Sequence, residues 1–107
     1  MKKSLVVLMT VVLAVMLAGC SAMYIDDTGG RDGSTFQKAV IVGSVRAEYK
    51  YIDRTFAGSN ILSQVVTEKD GKPYDVVSIK LGNGLERSVY FDISKFYRKK
   101  TYADDLD

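Results

Sequence analysis

Few side chains in this 107-residue chain could perform catalytic chemistry, because it contains no histidine. The usual general base and proton shuttle are therefore absent. Carboxylates remain, and Glu48 with Asp53, or Asp75 with Asp92, could meet in the fold as a pair of the kind that glycosidases use. Those enzymes enclose a sugar in a cleft, which a folded region of about 65 residues can hardly build. We therefore expect Asp75 and Asp92 to be solvent-facing strand residues or turn acceptors, and the protein not to be an enzyme.

No pattern of metal or cofactor ligands stands out in the sequence. Asp26, Asp27 and Asp32 with Gly33 resemble part of a calcium-binding loop, but the alternating ligand spacing is missing and no Glu follows at the required distance. Other glycine signals belong to turns, since no helix follows them to receive a phosphate. These turn glycines are Gly71, Gly82 and Gly84. The sequence predicts neither a metal site nor a cofactor.

Basic side chains repeat along the segment that we expect to form the main helix. Arg46, Lys50 and Arg54 are spaced at i, i+4 and i+8, which places them in one row on a helical surface. Two interpretations stay open. The row is either a solvated face partly neutralised by Glu48 and Asp53, or a contact with anionic lipid head groups, anionic cell-wall polymer or an acidic partner protein. The candidate anionic-ligand surface consists of Arg46, Lys50, Arg54, Arg98, Lys99 and Lys100.

The N-terminus has the composition of an export signal. Lys2 and Lys3 precede an apolar run over residues 5–18, which is broken only by Thr10 and is shorter than the ~20 residues needed to span a bilayer. The run leads to Cys20, the only cysteine of the chain. The expected recognition and cleavage residues are Leu17, Ala18 and Gly19.

This Leu-Ala-Gly-Cys sequence resembles the lipobox of bacterial lipoprotein precursors. The resemblance implies that the Cys20 thiol receives a diacylglyceryl group, that the bond before it is cut and that the new amino terminus is acylated. Two or three acyl chains would then hold the protein on the membrane. A lipid thioether also accounts for a lone cysteine in an oxidising compartment. In enterobacterial lipoproteins an Asp after the cysteine causes inner-membrane retention; Ser21 stands there, which favours the outer membrane, facing the periplasm.

The expected mature chain of 88 residues is electrically balanced. Without Lys2 and Lys3 the 15 basic residues fall to 13, equal to the 13 acidic ones, so no global basic field exists to attract nucleic acid. Length and apolar content fit one small domain. The predicted division is a signal peptide at 1–19, the lipidated Cys20 with a flexible tether over 20–35, a globular domain at 36–100 and an acidic tail at 101–107.

The predicted domain begins with an apolar, β-branched run within residues 36–42, which indicates either a strand or the lead-in to a helix. A helix is predicted after it, with Ser44 as the N-cap and Gly58 as its end. Ser94 is predicted to cap a short final helix that reaches Arg98. The apolar face of the main helix is predicted to hold Val45, Tyr49, Ile52 and Phe56.

Beyond Asn60 the hydrophobic period changes to that of strands. Turn signals at 70–71 and 82–84 divide the segment into runs at 61–69, 73–81 and 85–93, which predicts an antiparallel meander. Its helix-facing side is predicted to consist of Val77, Ile79, Leu81, Val89, Phe91 and Ile93. The predicted fold is α+β, with one main helix packed on a three- or four-stranded, mostly antiparallel sheet in two layers.

The other face of the sheet is predicted to carry Tyr74, Val76 and Tyr90. They form a candidate partner surface because Tyr is common in protein contacts. An equally open alternative is that residues 36–42 or the final helix cover this face. An exposed edge strand could also add a strand from a partner.

Two stretches carry a further resemblance. The sequences GKPYDV at 71–76 and VYFDIS at 89–94 resemble those of small bacterial domains with no assigned activity, which supports one folded unit. The order of one helix and three strands is similar to small outer-membrane assembly lipoproteins, although their Gly-Met-Thr helix start is absent. We expect a non-enzymatic, lipid-anchored envelope protein that binds a protein partner. The alternative is a binder of anionic small or polymeric ligands.

Overall fold

The computed structural model describes residues 22–98, an α+β domain in which one helix packs against one face of a mixed sheet. Strands β1 (Ile25–Asp26) and β2 (Val40–Val42) precede helix α1 (Val45–Thr55). Strands β3 (Asn60–Lys69), β4 (Lys72–Lys80) and β5 (Glu86–Asp92) follow the helix. The sheet order is β1-β2-β5-β4-β3, so the long strand β3 forms one edge. Within residues 22–98 no helix is long and apolar enough to cross a membrane.

The meander predicted from the turn signals is confirmed. Strand β4 pairs antiparallel with both β3 and β5. Asp70 and Gly71 have φ angles of 53° and 75°, the positive values that a two-residue hairpin turn of this kind requires. The predicted alternation is also confirmed, because Val77, Ile79 and Val89 are fully buried on the helix side of the sheet.

The sheet has one strand more than the largest number predicted, because both β1 and β2 extend it beyond the meander. Strand β2 runs parallel to β5, with Val40 opposite Phe91, and β1 runs antiparallel to β2, with Ile25 opposite Val42. The open alternative for residues 36–42 is thereby decided as a strand at 40–42. The sheet therefore has five strands and one parallel pair, not three or four in a meander.

Residues expected in a flexible tether belong to the folded domain. Strand β1 lies within 20–35, and the buried Gly33 donates its N–H to the Lys38 carbonyl and accepts the Tyr90 N–H on its own carbonyl, each at 2.8 Å. A Cβ at Gly33 would lie 3.0 Å from Val89 Cγ1, and the φ of Gly33 is +75°. This corrects the tether prediction from residue 22 onward. Polar, Gly-rich composition indicated a loop, and backbone hydrogen bonds hold this loop on the sheet.

Helix α1 has the predicted cap but a different buried face. The Ser44 hydroxyl accepts the Ala47 N–H at 3.1 Å, as an N-cap does. Val45 and Tyr49 were predicted to face the sheet and are exposed instead. The buried helical residues are Ala47, Glu48, Tyr51 and Ile52. The spacing of the apolar residues indicated a helical face rotated by part of a turn from the buried one, because the buried face contains Glu48.

The segment after β5 is a turn where a short helix was predicted. The Asp92 carboxylate accepts both the N–H and the hydroxyl of Ser94, at 3.0 and 2.6 Å, so Ser94 is held by a side chain and does not cap a helix. Phe96 and Tyr97 both donate their N–H to the Ile93 carbonyl. Asp92 also pairs with Lys72 at 2.9 Å and is 4% exposed, so of its two predicted roles, solvent-facing strand residue or turn acceptor, the second is the one observed.

Candidate functional site

The most exposed apolar element of the described residues is the edge strand β3. It is ten residues long, and its run from Asn60 to Thr67 contains no charge, no Pro and no Gly. Because β3 is outermost, the polar backbone groups on its free side have no neighbouring strand among residues 22–98. Its large apolar side chains are between 44% and 55% exposed: Ile61, Leu62, Val65 and Val66.

Side chains of β3 continue into the predicted partner surface. Val65 lies opposite Val76, which lies opposite Tyr90, so the three residues form one row across three strands on the face away from the helix. Phe36 packs edge-on against Tyr90 and Tyr74, with ring centroids 4.7 and 5.0 Å away. Tyr74, Val76 and Tyr90 are therefore half-buried, and Val65 is the open end of their surface.

A buried pair of carboxyl groups lies on the opposite, helix-facing side of the sheet. Glu48 of α1 and Asp75 of β4 are 0% and 2% exposed. Neither Glu48 oxygen has a hydrogen-bond donor among the described residues, and Asp75 Oδ1 has none either. Burial, followed by the hydrogen bond and the charge of Asp75, raises the pKa of Glu48 to about 10. Glu48 is therefore neutral at pH 7, and its proton can satisfy the pair by donation to Asp75.

The buried pair is connected to the edge strand. Gln64 of β3 donates its amide N–H to Asp75 Oδ2 and accepts the hydroxyl of Tyr49 at 2.7 Å. This chain of contacts joins α1, β3 and β4 beside the exposed strand. It offers no substrate cleft, since both carboxyl groups are enclosed.

The two carboxylate pairs predicted from the sequence do not form, and Glu48 pairs with Asp75 instead. Asp53 is exposed while Glu48 points inward, and Asp75 faces the helix while Asp92 shares the other face with Tyr74. A signal for Asp75 was present, because it has the same strand parity as the core residues Val77 and Ile79. Its prediction as solvent-facing is corrected. Among residues 22–98 no group of three or more Asp, Glu, Cys or His side chains could hold a metal ion.

The predicted basic row is only partly available to a ligand. Arg54 pairs with Asp27 at 3.2 Å, whereas neither Arg46 nor Lys50 has an ion-pair partner among the described residues. Glu48 and Asp53 were expected to neutralise the row in part. Glu48 does not, because it is buried and protonated, whereas Asp53 is exposed beside Arg46 and Lys50. Arg46 and Lys50 line an open depression of about 440 Å³ along the flank of α1.

The remaining predicted basic residues lie elsewhere or outside the described residues. Arg98 lines a separate depression of about 440 Å³ with Val66, Pro73 and Tyr97, so it does not share a depression with Arg46 and Lys50. The predicted site residues that lie outside the described range are Leu17, Ala18, Gly19, Cys20, Lys99 and Lys100.

Comparison with known proteins adds no relative. No protein-family model, curated protein or solved structure matches this chain.

Proposed function

We propose that this chain is a non-enzymatic lipoprotein of the bacterial envelope, anchored through Cys20, which binds a protein partner by adding an extended partner segment to the edge strand β3. The anchor is supported by the Leu-Ala-Gly-Cys sequence after an apolar run of export-signal length. The binding mode is supported by the shape and chemistry of β3. Main-chain hydrogen bonds provide affinity in such complexes, and alternate side chains provide specificity.

The observation that carries the proposal is that β3 is long, apolar and weakly protected. Soluble proteins usually protect an edge strand with inward-pointing charges, Pro, a bulge or a covering loop. Here the register shift between Ile61 and Ser63 and the charges of Glu68 and Lys69 protect the two ends. The uncharged centre, with Val65 and Val66 about half exposed, is left for a partner.

The neighbouring rows define what the partner segment should contain. On the face away from the helix, the row of Val65, Val76 and Tyr90 is flanked by the row of Ser63, Ser78 and Ser88. A partner residue opposite Val65 would extend an apolar row, while the residue two positions away would extend a hydroxyl row. We expect a segment with an apolar or aromatic residue at the first position and a small polar residue at the second.

Site-specific crosslinking in intact cells tests this proposal. A photoreactive amino acid at position 65 of the full-length chain should capture one defined envelope protein, and the same group at position 85 should not. Leu85 is a suitable control because it is 64% exposed and lies in the loop between β4 and β5, away from the edge. An adduct of twice the chain's own mass would identify the partner as a second copy.

A pair of matched substitutions separates the edge from general hydrophobicity. Val65→Lys places a charge in the centre of the edge and should abolish capture by a crosslinker at Thr67, while Leu85→Lys makes the same change in charge and should leave capture intact. Both sites are exposed, so neither substitution should change the free energy of unfolding by much. Equal capture by both variants would contradict binding at β3.

The alternative function, binding of anionic ligands, is supported by a different observation. Glu48 turns inward and is neutral, so the charges of Arg46 and Lys50 are not compensated by it. Such binding should weaken strongly between low and physiological salt, whereas strand addition at β3 should persist. Salt dependence of the captured species therefore distinguishes the two functions.

A further inference from the structure

The first described residues, 22–24, are hydrogen-bonded to the residues that precede α1, and we call this place the entry point. The Ser44 hydroxyl donates to the Ala22 carbonyl, and the Gly43 N–H donates to the Tyr24 carbonyl at 2.9 Å. Lys95, in the turn after β5, places its ammonium group 4.8 Å from the centre of the Tyr24 ring. One residue, Ser21, separates Cys20 from Ala22 in the sequence. A lipid on Cys20 would therefore hold this end of the domain close to a membrane.

The surface around the entry point combines apolar and cationic side chains. The apolar side chains are about 40% exposed, although large apolar groups are usually covered. Aromatic rings with nearby Lys or Arg are typical of the boundary between lipid and water. We call these residues the entry surface: Met23, Tyr24, Val45, Arg46 and Lys95.

We infer that the entry surface lies against the head groups of anionic phospholipids. This inference rests on the lipid attachment at Cys20 that is part of the proposed function. Arg46 and Lys95 supply the charge that attracts phosphate, and Tyr24, Val45 and Met23 supply apolar contact at the level of the head groups.

The charges near the entry surface favour this occupant. Asp26 lies near Lys95 and stays ionised, because hydrogen bonds from the hydroxyl and the N–H of Thr28, at 2.5 and 3.0 Å, lower its pKa, so it offsets part of the Lys95 charge. Arg46 has no ion-pair partner among the described residues. Electrostatic attraction at physiological salt extends only about 8 to 10 Å, so an anionic surface must lie close to the entry surface to be attracted. Head groups beside the anchor are within that range, whereas a distant polymer is not.

Fluorescent labelling of single cysteines on the full-length lipidated protein tests the orientation. Cys20 is the only native cysteine and would carry lipid, so Val45→Cys or Leu85→Cys provides a single reactive thiol. The labelled proteins are reconstituted into vesicles of phosphatidylcholine alone or mixed with phosphatidylglycerol, with spin-labelled lipids as quenchers. We expect quenching at position 45 and little at position 85. Position 85 directly precedes β5, about 20 Å from the other end of that strand, where the entry surface lies.

Charge reversal tests the electrostatic part. Arg46→Glu with Lys95→Glu should shift the ratio of docked to undocked domains about thirtyfold or more toward the undocked form in vesicles containing phosphatidylglycerol. The control, Lys38→Glu with Lys80→Glu, makes the same change in net charge at exposed positions outside the entry surface and should leave quenching at position 45 unchanged.

The possible failures are distinguishable. Release of the parent protein from the vesicles would overturn the lipid anchor and with it the proposed localisation. Retention with equal quenching at positions 45 and 85 would overturn the entry surface and leave the anchor intact. Quenching at position 45 that does not depend on phosphatidylglycerol would overturn the role of Arg46 and Lys95.

Discussion

The buried carboxyl pair predicts an unusual dependence of stability on pH. In the folded protein the pKa of Glu48 is raised from 4.5 to about 10, with burial as the largest cause. In the unfolded chain Glu48 is exposed to water and ionises near its ordinary value. Between these two values the folded state holds a proton that the unfolded state has lost. The free energy of unfolding must therefore fall as the pH rises, and the contribution of this proton is complete only below about pH 4.5.

The magnitude follows from one proton. Each pH unit within this window lowers the free energy of unfolding by about 1.4 kcal/mol, so the change from pH 6 to pH 8 is about 2.7 kcal/mol. That is a large share of the roughly 5 to 15 kcal/mol that stabilises a small domain. The titration of Asp92 does not offset this loss of stability between pH 6 and pH 8. Hydrogen bonds from Ser94 and the Lys72 ion pair outweigh burial and lower the Asp92 pKa, so its contribution is lost only as the pH falls below about 3.8.

Urea unfolding of the chain carrying Cys20→Ser, followed by far-ultraviolet circular dichroism at several pH values, measures this slope. Glu48→Gln keeps the size of the side chain and cannot ionise, so its stability relative to the parent should increase by about 1.4 kcal/mol per pH unit. Asp53→Asn removes an exposed carboxylate from the same helix and should keep the parent's slope. A parent whose stability is flat or rises from pH 6 to 8 would refute the buried, protonated Glu48.

Three substitutions test the local geometry. Gly33→Ala should lower the free energy of unfolding by about 2 to 4 kcal/mol, because a positive φ is strained and the added methyl group meets Val89 at 3.0 Å. Gly71→Ala has the same φ of +75° but open space around the new methyl group, so it should cost about 1 to 2 kcal/mol; equal losses at the two glycines would contradict the close approach. Ser44→Ala should cost about 0.5 to 2 kcal/mol, because the Ala47 N–H loses its cap; an unchanged midpoint in urea unfolding would argue against it.

The parts of the fold that the sequence predicts are those with local signals. The turn at Asp70 and Gly71 fixes a hairpin, and the alternation through Val77 and Ile79 then decides which side of each strand is buried. Ser44 similarly marks the start of α1 by its own hydrogen bond. In each case the interacting groups are only a few residues apart, so a short window contains the information.

The two added strands depend on contacts that no short window contains. Val40 pairs with Phe91 across some fifty positions of sequence, and Ile25 then pairs with Val42. A two-residue strand such as β1 has too few residues to show a period. Its surroundings, rich in Gly and Asp, were interpreted as a tether, although Gly33 is needed for the approach of the loop to the sheet.

The candidate site is least predictable where polarity and burial disagree. Patterns of apolar residues assume that a Glu lies outside, so the face of α1 was placed around Val45 and Tyr49. Glu48 can occupy the core because it keeps its proton, which turns a charge into a neutral polar group that Asp75 can satisfy. Whether Glu48 can be buried therefore depends on Asp75, which is 27 positions away in the sequence, and on Gln64, which donates to Asp75. The same inward turn leaves Arg46 and Lys50 without compensation from Glu48, so one misplaced side chain accounts for both the wrong helical face and the wrong prediction of which carboxylates neutralise the basic row.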